Sequence, residues 1–119
     1  MNVSNFARIL AACFCIAVGA GPAFAAPSHT GWANITTLSG GWHESHLRVI
    51  VNGSVQNPDQ CTHPDGYIVE TGLPGAQLLQ SMLITAYATG ADVLFTIDGC
   101  VFGRPKVIGV DIRKPTGLS

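Results

Sequence analysis

Apolar and β-branched residues recur along this chain with the period of a strand in five places. WANITTL (32–38) alternates apolar with small polar residues and stops at Ser39-Gly40-Gly41. LRVIVNG (47–53) is β-branched and closed by Asn52-Gly53, and YIVE (67–70) is short but of the same character. DVLFTID (92–98) and KVIGVDI (106–112) complete the set, separated by Gly99-Cys100 and a turn around Gly103-Arg104-Pro105. From Ser54 to Gly66 the chain is rich in Asn, Pro, Asp and Gly without periodicity, which predicts a loop carrying Cys61. Residues 26–31 and 113–119 read as a polar lead-in and a polar tail.

The texture changes at PGAQLLQSMLITAYATG (74–90), where the spacing is helical. At 100° per residue Leu78, Leu79, Met82, Leu83, Ala86 and Tyr87 fall on one half of the cylinder, the expected core face. Pro74 suits a first turn and Gly90 a C-terminal cap. The other half carries Gln77, Gln80, Ser81, Ile84, Thr85 and Ala88. No charge lies between Glu70 and Asp92. A freely solvated helix face usually carries Glu and Lys, so Gln77, Gln80, Ser81 and Ile84 are candidate contacts with another subunit.

The resulting order, β-β-β-α-β-β, is mostly β with one α-helix. It is the order of an OB-fold, a small, partly open five-stranded barrel whose end the helix would plug. A small α+β sandwich, with the helix across one sheet, is the alternative.

The first residues change the setting. Arg8, the apolar run ILAACFCIAV, the break GAGP and the small-x-small step Ala23-Phe24-Ala25 form the pattern of an export signal cut before Ala26. The expectation is a signal peptide over 1–25 and one domain over 26–119. The exported chain is periplasmic or secreted and has no membrane span. Of four cysteines, Cys13 and Cys15 leave with the leader, and Cys61 and Cys100 remain. A pair in an oxidising compartment predicts a disulfide, stabilising by ~3–4 kcal/mol.

Six Lys/Arg against seven Asp/Glu give a net charge of −1, and the leader takes Arg8 with it. No basic stripe is dense enough to neutralise a row of phosphates, so nucleic acid is not an expected partner. No cofactor is implied. The candidate chemistry is concentrated in GWHESHL (41–47). His43 and His46 are three apart, unlike the i, i+4 pair of a zinc-protease helix, so neither a metal nor a catalytic residue is expected there. A nucleophile elbow is missing and the carboxylates are scattered singly, which argues against an enzyme. The segment fits the tip of the first hairpin, where Trp42, His43, Glu44 and His46 would form a contact surface. Trp32 joins them as a candidate ligand-binding residue, because an indole face stacks on a sugar ring. Asn34-Ile35-Thr36 and Asn52-Gly53-Ser54 match the glycosylation sequon.

ITTLSGG, then LRVIVNG, a Cys-bearing loop and a helix running into YATGADVLFTI together resemble the exported B subunits of subtilase-cytotoxin and pertussis-like toxins. That resemblance implies an OB-fold, a non-catalytic role, binding of cell-surface glycans and a homo-oligomer, a pentamer in the toxin case. It places the glycan pocket near Thr30-Gly31-Trp32-Ala33, where those toxins use a serine that this chain does not supply. Two other roles are open: an exported accessory protein with a protein partner, and a small metal-binding or enzymatic domain built on the WHESH segment.

Overall fold

Strands and one helix follow each other as the periodicity predicts, with one short strand added at the front. In chain order they are β1 (Ser28–His29), β2 (Ala33–Gly40), β3 (Leu47–Val51), β4 (Tyr67–Val69), α1 (Ala76–Thr89), β5 (Asp92–Val101) and β6 (Arg104–Arg113). The computed structural model describes residues 26–41 and 45–115. The leader expected over 1–25, the candidate residues Trp42, His43 and Glu44, and the end of the tail at 116–119 lie outside the described residues.

The strands pair into one sheet that returns on itself. β2 pairs with β3, β3 with β4 and β5 with β6, all antiparallel, and β4 pairs in parallel with β6. β5 then pairs with the start of β2 through Ala33↔Val93 and Asn34↔Asp92, completing the ring. β1 lies along the same edge of β5, one step further on, through Ser28↔Ile97 and His29↔Thr96. The lead-in at 26–31 is therefore not all irregular. Two polar residues have no apolar period to announce a strand, and the pairing comes from the open edge of β5.

Alternation decides what faces inward. Val93, Phe95 and Ile97 on β5, Val49 and Val51 on β3, and Val107 on β6 are buried. On β2 the strict period fails. Ile35 pairs with Val51 and Thr37 with Ile50, so Thr36 is the extra residue of a bulge. The bulge resets the phase: Ile35 is buried, Thr37 is exposed, and Leu38 packs against the core.

Helix α1 lays Ala76, Leu79, Leu83 and Ala86 into this core. Its first turn is closed by the Leu79 N–H donating to the Gly75 carbonyl at 2.9 Å. It stops at Gly90, in the left-handed region, with the Ala91 N–H donating to the Ala86 carbonyl at 3.0 Å. The buried stripe is narrower than half a cylinder. Leu78 and Tyr87, expected in the core, are 65% and 51% exposed, and Ile84 is 55% exposed. Gln80 is half-buried and donates through Nε2 to the Ser45 carbonyl, which fixes the helix to the β2–β3 loop. That loop closes tightly: a Cβ at Gly40 would stand 2.5 Å from the His46 carbonyl oxygen, so only glycine fits there.

The loop from Asn52 to Gly66 is irregular but well tied. Cys61 and Cys100 form a disulfide, with Cα atoms 5.7 Å apart and a sequence separation of 39. Asn57 accepts from the Cys61 N–H and donates to the Cys61 carbonyl, and Asp59 accepts from the Gly99 N–H at 2.8 Å. Asp65 takes a two-pronged grip from Arg104, at 2.6 and 3.1 Å, with Arg48 at 3.9 Å. The Arg104 hydrogen bond holds the Asp65 carboxyl below its ordinary 3.8. The contribution of that pair is therefore complete above 3.8 and disappears as pH falls through the lower folded value. Replacing Cys61 and Cys100 by serine should lower stability by about 4 kcal/mol, less any strain released. Chemical denaturation of the variant and the parent measures the difference.

Candidate functional site

Between Thr30 and Ala33 the chain leaves one partner segment of β5 and has not yet settled on the next. Thr30 bridges the gap. Its N–H donates to the Phe95 carbonyl and its hydroxyl accepts from the Phe95 N–H, both at 2.9 Å. The same hydroxyl donates to the Gly31 carbonyl at 3.1 Å. A threonine here thus satisfies the β5 backbone where strand pairing lapses. It is itself buried.

The gap opens a cleft of about 200 Å³. One wall is Thr30, Gly31, Trp32 and Ala33. The facing wall is Val51, Asn52, Gly53, Ser54 and Gln56, and Tyr67, Val93 and Phe95 form the floor. The floor is apolar and rigid. Tyr67 and Phe95 meet edge to face at 5.0 Å, and the Tyr67 hydroxyl accepts from the Gln56 N–H at 2.7 Å. Burial pushes the Tyr67 phenol above its ordinary 10.0, against the smaller opposing effect of the Gln56 hydrogen bond. The phenol therefore keeps its proton through the neutral range.

Trp32 stands at the mouth, 40% exposed. The Arg113 guanidinium lies over its ring, 4.3 Å from the centroid, and Arg113 Nε is 3.3 Å from Asp92 Oδ2. Arg113 and Asp92 are not part of the cleft lining, whereas Trp32 is. The indole thus belongs both to the cleft lining and to a cation–π contact with Arg113. A contact of this kind at a partly exposed site is worth ~0.5–1 kcal/mol, enough to bias a ring orientation.

The facing wall is held by reciprocal asparagines. The Asn34 N–H donates to Asn52 Oδ1 at 2.8 Å, and the Asn52 N–H donates to the Asn34 carbonyl at 2.9 Å. The Asn34 amide in turn donates to the Gly90 carbonyl at 2.8 Å, so one side chain joins β2 to the end of α1.

Of the candidate residues in GWHESHL, His46 alone is described. His46 packs against Phe102 of the β5–β6 turn, ring centroids 4.7 Å apart, and is not among the residues of the cleft. Of the candidate helix contacts, Gln77, Ser81 and Ile84 are exposed and Gln80 is engaged by Ser45. Among the described residues no three His, Cys, Asp or Glu side chains are placed to hold a metal ion, and no helix is long and apolar enough to cross a membrane. Trp32 is the described sequence candidate that lines this cleft, whereas the residues of the facing wall and Arg113 carried no such signal in the sequence. The Asn52-Gly53-Ser54 sequon was the one visible mark on that wall.

Comparison with protein-family models, with curated proteins and with solved structures finds no match to this chain.

Arg113→Ala should loosen the indole. In a Trp42→Phe background, Trp32 fluorescence should be quenched more readily by acrylamide and show lower anisotropy than in the same background with Arg113 intact.

Proposed function

We propose that this chain is an exported, non-catalytic binding subunit on an OB-like barrel, that it recognises a glycan in the cleft beside Trp32, and that it works as a homo-oligomer. The observation that carries this reading is the indole at the cleft mouth, held by the Arg113 guanidinium over its ring. Such an arrangement presents a flat apolar surface at little entropic cost, which is what stacking on a sugar ring requires.

Other features agree with it. The strand ring, with a parallel closure and one helix between its third and fourth members β4 and β5, matches the OB order once β1 is set aside. The cleft lies at Thr30–Ala33, the zone where the resemblance to toxin B subunits implies the pocket. The Thr30 hydroxyl is already committed to Phe95 and Gly31, so it does not replace the ligand-binding serine of those toxins. Recognition then falls to Trp32, Asn52, Ser54 and Gln56. At about 200 Å³ the cleft is below the ~300–1,000 Å³ of a drug-sized site and holds one ring-sized group. Single-site affinity is correspondingly weak, and repetition in an oligomer raises it by up to ~10²–10⁴.

A second reading, an exported accessory protein with a protein partner, is favoured by the uncharged helix face. Leu78, Ile84 and Tyr87 are exposed on α1, and no charged residue occurs in the sequence between Glu70 and Asp92. The same face would serve contacts between subunits.

A glycan array probed with the exported form should give signals that Trp32→Ala reduces by about tenfold or more, the scale of one lost aromatic contact. Solution mass should exceed that of a single chain. A strict monomer that binds no glycan would rule this reading out.

A further inference from the structure

We propose that Asn52 is a site of spontaneous covalent modification: the Asn52-Gly53 turn loses ammonia through a succinimide and puts a carboxylate on the rim of the cleft. This chemistry goes beyond the glycan reading and holds whether or not the cleft takes a sugar.

The step needs an exposed asparagine followed by an unhindered backbone nitrogen. β3 ends at Val51, and both Asn52 and Gly53 are exposed. Gly53 has φ +83, and a Cβ built on it would meet nothing within 4 Å. Glycine has no side chain of its own to hinder attack by its nitrogen, and it takes the left-handed conformation without strain. The Asn34 N–H donates to Asn52 Oδ1 at 2.8 Å, which draws electron density from the Cγ that must be attacked.

The Gly53 nitrogen forms a bond to Asn52 Cγ, and the side-chain nitrogen leaves as ammonia, carrying the proton lost from the Gly53 N–H. Water then opens the five-membered ring at one of its two carbonyls. Opening at one gives an ordinary aspartyl residue in place of Asn52. Opening at the other gives an isoaspartyl link, in which the main chain runs through the former side chain. The net change consumes one water and releases one ammonia, with no oxidation or reduction.

Two further asparagines in the described residues serve as internal controls. Asn34 lies in β2 before β-branched Ile35, and its amide is committed to the Gly90 carbonyl. Asn57 precedes Pro58, which has no N–H to attack with, and is bonded in both directions to Cys61. The aspartyl product retains an oxygen for the Asn34 N–H, now a charge-assisted acceptor, so the fold tolerates it. The rim of the cleft gains a negative charge, which disfavours acidic ligands relative to neutral ones.

The test uses the folded, exported form held at mildly alkaline pH, followed by intact mass and peptide mapping. A gain of one mass unit confined to the peptide bearing Asn52 is expected, with Asn34 and Asn57 unchanged. On isoelectric focusing the aged protein should run with Asn52→Asp, while Asn52→Gln should not shift. An unchanged Asn52 in the folded protein, when the unfolded chain converts in parallel, would overturn the proposal. So would conversion that maps to Asn34 instead.

Discussion

The ring of strands depends on a short seam, the parallel pairing of β4 with β6, which like the β2–β5 seam has only two residue pairs. β4 has three residues, and only Ile68↔Lys106 and Val69↔Val107 join it to β6. Parallel pairing is slightly less stable per residue than antiparallel. The chain compensates at the neighbouring loop. The Cys61–Cys100 disulfide, the Arg104 grip on Asp65 and the His63 N–H to Gly103 carbonyl bond all tie residues 61–65 to the β5–β6 end. Apolar burial does the rest: Tyr67, Val69 and Val107 are each almost wholly removed from water.

The same loop builds the cleft. Its last residues carry the ties, and its first residues, Asn52 to Gln56, form the wall that faces Trp32. Tyr67 connects the two by accepting from the Gln56 N–H while its ring packs on Phe95. The cleft wall is thus a consequence of the seam being closed. On the opposite wall Thr30 does similar work, keeping Phe95 hydrogen-bonded where β1 and β2 part. Cleft and fold share their supports, so a change that frees the loop acts on both.

Much of the frame is legible from periodicity, because strand and helix periods reflect burial directly. The β-branched runs at 47–51 and 92–97 and the apolar spacing of 76–89 lie where the strands and helix form. Departures have local causes. Angular position alone put Leu78 and Tyr87 in the core, but the strand ring accepts only the stripe of Ala76, Leu79, Leu83 and Ala86. The bulge at Thr36 has no composition signal, and Ser28–His29 pairs through an edge that β5 supplies. The cleft was not legible beyond Trp32 because its lining comes from segments scattered along the chain. Arg113 covers Trp32 only once β6 lies beside β5, a contact that no local pattern encodes.

Sugar binding in the cleft beside Trp32 remains the proposal on which the functional reading turns. Amide-resolved NMR of the isotope-labelled protein, titrated with neutral and acidic oligosaccharides, tests it most directly. Saturable shifts are expected at Trp32, Gly53, Ser54 and Gln56, with the Phe102 turn unmoved. Shifts confined to the face of α1 or to the Phe102 turn, or none at saturating sugar, would contradict it.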